Sequence, residues 1–220
     1  MGFLSNLDVI IGICGFLYGI FTFFYYKKIK FYMFISRIFK FNKTVEINMS
    51  YQFVAMEDIK LNDLKEILGD EKYKIMNANN NNIILNMNDF IIQFKKDDFP
   101  PEEYNNNAVI SMSITKTYYK QAKQSIDRFI NLCENYQEKK LSNKGLYNLT
   151  INYSNVKNPY LSASAHRIDE ENIKNLIIKV DTSFLVNDLN ENVIINKDKL
   201  SYTSKSSKNI YKIAREFMII

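Results

Sequence analysis

Residues 108–139 read AVISMSITKTYYKQAKQSIDRFINLCENYQEK, and the change of rhythm inside this stretch sets the fold class. Over 108–116 apolar and polar residues alternate, which puts every second side chain on one face of a strand. Over 117–139 Ala122, Ile126, Phe129, Ile130, Cys133 and Tyr136 share one apolar helical face. A strand that hands over to an amphipathic helix predicts a sheet with helices laid on it.

Upstream, Val45, Ile47, Met49, Tyr51 and Phe53 alternate with polar residues and predict a strand over 45–54. Asp58 to Leu68 reads as a helix with Leu61, Leu64, Ile67 and Leu68 inward, and Gly69 is its stop. Short strands follow near 72–77, 82–87 and 90–95. The Asn run at 79–82 and Asn88-Asp89 supply the turns between them. KKDDFPPEEYNNN, residues 95–107, reads as a loop.

Downstream, a second half opens after Ser142-Asn-Lys-Gly145. Leu146, Leu149, Ile151 and Tyr153 predict a strand. Tyr160 to Ile168 and Ile173 to Val180 form a hairpin around Asp169-Glu-Glu-Asn. Val193 to Asn196 and Leu200 to Thr203 form a tighter one across Lys197-Asp-Lys. A helix over 206–218 closes the chain, with Ile210, Ala214, Phe217 and Met218 on one side. Both halves run several strands and then a helix. NIILNMNDFIIQF at 82–94 and NVIINKDKLSYTS at 192–204 look alike, which hints at a weak internal duplication. The expected fold is α+β, an antiparallel sheet with helices on one face and two pseudo-repeats, 44–141 and 142–220.

Ahead of this domain stands VIIGICGFLYGIFTFFYY, Val9 to Tyr26, free of charge and followed by Lys27, Lys28 and Lys30. As a helix it is about 27 Å long, near the thickness of a bilayer's hydrocarbon core. Residues 1–29 therefore read as an uncleaved single transmembrane helix. MGFLSNLD before it carries no Lys or Arg, and no small-residue cleavage site follows. Lys27, Lys28, Lys30, Arg37, Lys40 and Lys43 lie just after the span and face lipid headgroups. Cations stay on the cytoplasmic side, so the N-terminus is expected outside and the domain inside the cell. Gly12, Gly15 and Gly19 recur at helical spacing and give a face for helix association. Over 30–43, Phe31, Phe34, Ile35, Ile38, Phe39 and Phe41 oppose the cations, a basic amphipathic segment suited to the membrane surface.

The formal charge of +5 is concentrated at this end. Residues 1–43 hold six cations and one acid. Of 29 basic and 24 acidic residues, the remainder keeps 23 of each. A neutral domain argues against nucleic acid as its main partner. Lys205, Lys208, Lys212 and Arg215 are the only local basic patch, read as a solvated helix face. Two cysteines, Cys14 in the span and Cys133 alone in the domain, allow no disulfide framework there.

Catalytic signals are sparse. His166, the only histidine, lies in Ser162-Ala-Ser-Ala-His-Arg167. Residues two apart on a strand are separated by about 6.6 Å, too far for a direct Ser–His bond. Asp97, Asp98, Glu102 and Glu103 carry oxygen ligands but fit no calcium-loop spacing. There is no CxxC, HExxH, P-loop or GxSxG. No cofactor, metal or catalytic residue is expected. The expected function is a single-pass membrane-anchored protein whose cytoplasmic domain is a binding or scaffolding module. Its partners are membrane lipid and either a second copy of itself or another protein. Two alternatives are a membrane effector that oligomerises through the Gly-faced helix to perturb the bilayer, and a hydrolase using His166.

Overall fold

The computed structural model describes residues 2–28, 31, 34–35, 46–55, 59–79, 81–96, 107–115, 119–153, 158, 172–183 and 191–217, the side chains of 2–8, 26 and 119 excepted. After helix α1 (Gly2–Lys27) the first half contains β1 (Glu46–Val54), α2 (Leu61–Leu68), β2 (Lys74–Asn79), β3 (Asn82–Asn86), β4 (Ile91–Lys96), β5 (Asn107–Ile114) and α3 (Tyr119–Lys140). The second contains β6 (Leu146–Asn152), β7 (Ile177–Asp181), β8 (Asn192–Asn196), β9 (Lys199–Ser204) and α4 (Ser207–Phe217). The chain is α+β, as the strand-then-helix pattern predicts.

Among the described residues nine strands form one antiparallel sheet in the order β2-β3-β4-β5-β1-β6-β9-β8-β7. In each half the last strand returns to lie beside the first: β5 pairs with β1, and β9 pairs with β6. The two first strands then pair with each other at the centre, Met49 opposite Leu149 and Tyr51 opposite Tyr147. The look-alike segments both become hairpins, β3–β4 and β8–β9. They are not equivalent in place, because β4 lies one strand further from the centre than β9 does.

Strand alternation sorts the two faces. Ile47, Met49, Tyr51 and Phe53 of β1 are buried, as are Ala108, Ile110, Met112 and Ile114 of β5. Leu149 and Ile151 of β6 and Leu200 and Tyr202 of β9 continue the same face. Onto it α3 lays Ala122, Ile126, Phe129, Ile130, Cys133 and Tyr136, and α4 lays Ile210, Ile213, Ala214 and Phe217. These residues make one continuous core across both halves. Each large apolar side chain buried in it stabilises the fold by about 1.5–3 kcal/mol. Leu146 belongs to the opposite face, since it is out of phase with the buried Tyr147, Leu149 and Ile151. Gly69 ends α2 at φ 56°, and Asn88 takes φ 70° in the β3–β4 turn, both as their turn chemistry predicts.

Helix α1 has 26 residues. Among the described residues no helix is long and apolar enough to cross a membrane. Among the described residues no α1 side chain enters the core, and Val9, Phe16, Leu17 and Tyr18 are more than half exposed. Phe31 folds back against the end of α1, its ring 5.5 Å from Phe21 and 5.9 Å from Phe24. Beyond it Ile35 is buried while Phe34 is exposed, so these two do not share the single lipid-facing side expected of 30–43. Lys30, Arg37, Lys40 and Lys43 lie outside the described residues.

Candidate functional site

Where α3 and α4 meet over the β1–β6 seam, the helix layer leaves a cavity of about 640 Å³. Its wall takes Glu134, Gln137 and Glu138 from the last turns of α3 and Lys144 from the turn into β6. Tyr147 of β6 and Glu191, just before β8, lie opposite, and Lys205, Ser206, Ser207 and Lys208 come from the start of α4. The size suits a small-molecule ligand. Polar residues collect here because element ends are free of the apolar period that the core imposes.

The acids of the wall are largely engaged already. The Glu191 carboxylate accepts hydrogen bonds from Tyr202 Oη, from Ser204 Oγ at 2.6 Å and from Asn209 Nδ2 at 3.2 Å. Glu134 Oε1 accepts from Ser207 Oγ at 2.5 Å. Glu191 also holds Thr182 Oγ1 through its carbonyl at 2.7 Å. It thus ties the β7 end, β9 and α4 together.

The donors are less engaged. Lys144, Lys205 and Lys208 form no ion pair among the described residues, whereas Arg128, Lys139 and Lys140 on α3 do. Ser206 caps α4, its Oγ accepting from the Asn209 amide at 3.3 Å and its carbonyl from the same amide at 3.1 Å. The Ser206 amide itself donates to Ser204 Oγ at 3.0 Å. The amides of Ser207 and Lys208 have no acceptor within the helix, because first-turn N–H groups have none there. The positive end of the α4 dipole adds to this surplus.

Tyr147, which lines the cavity, packs ring on ring with the buried Tyr51, centroids 4.5 Å apart. Tyr51 Oη donates to Gln137 Oε1 at 2.8 Å and accepts the Gly145 amide at 2.9 Å. Tyr147 Oη is buried and finds no partner. Burial raises the Tyr147 pKa far above the ordinary phenol value, and the nearby Cys133, Tyr51 and Glu134 push the same way. Burial raises Tyr51 as well, opposed by the Gly145 amide. Cys133 is raised well above a normal thiol by burial and then by Glu134. The phenols and the thiol are therefore neutral, and Tyr147 is a hydrogen-bond donor without an acceptor.

The opposite sheet face carries a shallow depression of about 220 Å³ lined by Asn48, Ser50, Gln93, Ser111, Asn148 and Thr150 among others. Two of these groups are engaged by neighbours outside the depression. Thr203 Oγ1 donates to Asn148 Oδ1 at 2.8 Å, and Gln93 Nε2 donates to Asn82 Oδ1 at 2.9 Å.

Of the residues singled out in the sequence, Lys205 and Lys208 are brought into the cavity, while Lys212 and Arg215 point to the exposed side of α4. Gly12, Gly15 and Gly19 have open space where a Cβ would sit. Lys27 and Lys28 are exposed at the end of α1. His166, Asp97, Asp98, Glu102 and Glu103 lie outside the described residues. Among the described residues no cluster of three or more His, Cys, Asp or Glu could hold a metal. Glu134, Tyr147 and Glu191 give no sequence signal, since each is a single residue in an ordinary element. Ser206-Ser207 ahead of an amphipathic run is the one local cue, a helix cap. The chain matches no family model, no curated protein and no solved structure.

Proposed function

We propose that this chain is a membrane-anchored binding module, with α1 in the bilayer and the α+β domain on the cytoplasmic side. The observation that carries it is the contrast between α1 and the rest. Among the described residues the core of the domain takes no α1 side chain, while Tyr18 of α1 is 72% exposed and Phe16 69%. Apolar helix side chains left exposed by the protein are stable where lipid supplies the contacts. Lys27 and Lys28 at the end of α1 favour the cytoplasmic leaflet. The domain contributes a cavity of a size that suits a small-molecule ligand, which supports a binding role.

The test is alkaline extraction of membranes from cells expressing the full chain with a tag after Ile220. The expected result is retention in the membrane pellet, with the tag protected from protease added to intact cells. Release into the carbonate supernatant overturns the anchor. Cleavage of the tag from outside overturns the orientation.

A further inference from the structure

Among the described residues the sheet ends in two open strands, β2 on one side and β7 on the other, and they are guarded differently. An edge strand presents a row of unused N–H and C=O groups to any strand that reaches it. β2 shifts its register against β3 between Ile75 and Asn77, and such a bulge twists an edge out of line for further pairing. β7 keeps an unbroken register with β8, from Ile177 opposite Asn196 to Asp181 opposite Asn192. It contains no proline and no glycine. On one face of β7 Ile177 is 71% exposed, and Lys179 and Asp181 are exposed beside it. On the other face Ile178 and Val180 are only partly buried at the margin of the core.

A charge is another common guard of an edge, and Lys179 stands at the middle of β7. Against a strand of unrelated sequence it repels or strands a cation. Against a second copy of β7 it selects a register. Two identical antiparallel strands pair about a two-fold axis normal to the sheet, and residues opposite each other must share a face. The axis therefore passes through a residue. Placed on Lys179, it sets two ammonium groups against each other. Placed on Ile178, it sets Lys179 against Ile177. Placed on Val180, it sets Lys179 opposite Asp181 on both sides, Val180 opposite Val180 and Ile178 opposite Thr182. Opposite charges facing across a strand pair are favourable and like charges are not. Asp181 is ready for this role: its Oδ1 accepts the Ser183 amide at 2.8 Å, which orients the carboxylate. Its Oδ2 accepts no bond among the described residues.

We infer that β7 is a docking edge for a second copy of this chain, paired antiparallel about Val180 with each Lys179 facing the other copy's Asp181, so that the two sheets run on as one. This rests on the reading of the domain as a binding module, names a second copy as what it binds, and is independent of the anchor. A chain released by carbonate that still pairs through β7 loses the anchor alone. A chain held in the membrane whose domain stays single loses this inference alone.

The experiment is sedimentation of the full chain in detergent micelles over a range of concentrations. Every chain carries Gly15→Ile and Gly19→Ile, so that contacts between α1 helices cannot stand in for the edge. A five-residue edge is small beside a standard interface, so the dimer is expected only at about 10 μM or above. Lys179→Asp and Asp181→Lys should each weaken self-association about tenfold, since each sets like charges opposite one another. An equal mixture of the two variants should recover the dimer, because the Asp at 179 of one chain then faces the Lys at 181 of the other. A structural role for either residue alone does not give that recovery. Lys179→Gln should weaken the dimer; a stronger dimer would mean that Lys179 faces Lys179 and overturns the register. A chain that stays single up to about 200 μM overturns the inference. So does a dimer indifferent to both charge reversals, and so does a mixture that remains monomeric.

Discussion

Tyr51 and Tyr147 sit opposite each other across the central β1–β6 pair with their rings in contact, yet only Tyr51 has its hydroxyl satisfied. The two phenols share a strand register, a face and nearly the same burial. What separates them is the turn before β6: Gly145 turns its amide onto Tyr51 Oη and leaves the buried Tyr147 Oη without a partner.

The paired tyrosines give opposite responses to the same substitution. Tyr51→Phe removes two hydrogen bonds and leaves the Gly145 amide without its acceptor, a loss of about 1–3 kcal/mol. Tyr147→Phe removes an unpaired hydroxyl, and stability is unchanged or rises by up to about 1 kcal/mol. Urea unfolding of the two variants beside the wild type measures both. Equal losses would mean that Tyr147 Oη has a partner in solution.

Gly145 cannot accept a side chain. A Cβ there would sit against the Gln52 carbonyl oxygen and 2.6 Å from the Tyr51 ring. Gly145→Ala should cost about 1–3 kcal/mol or more through backbone displacement. Gly69→Ala meets open space, and its penalty, about 1 kcal/mol, comes from the positive φ alone. Unfolding midpoints that rank Gly69→Ala as the worse change would contradict the close approach at the seam.

Glu191 fastens α4 to β9 through three side-chain donors. Glu191→Ala strands the Tyr202 and Ser204 hydroxyls and should cost about 2–3 kcal/mol. Glu191→Gln keeps the shape but offers one acceptor oxygen and turns an amide toward the donors, costing about 1 kcal/mol. Hydrogen exchange of the α4 amides reads the same effect locally, with protection lost first in the alanine variant.

Alkaline pH should destabilise the domain. Cys133 and Tyr147 hold their protons more tightly when folded than when unfolded. Below the ordinary thiol value, about pH 8.5, their stabilisation is fully present. It is lost as pH rises above that value, the thiol first and the phenols above about pH 10. The urea midpoint should fall from about pH 9 upward, and Cys133→Ala should flatten the first part of the decline. Identical slopes in variant and wild type would assign the decline to other groups.

The glycine face of α1 sets a test in lipid. A Cβ added at Gly15 or Gly19 meets no atom of the described residues within 4 Å, so the double change to Ile is expected to leave the domain folded. If copies associate through close helix backbones, the variant loses the cross-linked dimer that the wild type gives. An unchanged dimer fraction places association elsewhere.

Local structure is legible in the sequence wherever burial imposes a period. The alternation of Ile47, Met49, Tyr51 and Phe53 marks β1 to within a residue. Ala122 through Tyr136 mark the buried side of α3 because each turn must return an apolar group to the same core. Strand order is not legible. Nothing local in Tyr51 or Tyr147 says that residues 96 positions apart in the chain become neighbours, because pairing is decided by the whole sheet. The resemblance of 82–94 to 192–204 is real as hairpin chemistry and misleading as to position. The cavity is the least legible part, being assembled from ends of α3, β6, β8 and α4 where composition is unconstrained by packing.

The central place of β1 has a consequence for synthesis on the ribosome. β1 is made early and borders both halves. Once β5 has emerged it can close the first sheet segment, and its other edge then stays open until β6 arrives about 40 residues later. That open edge offers the nascent second half a ready-made template, and it offers the same template to any neighbouring chain that arrives first.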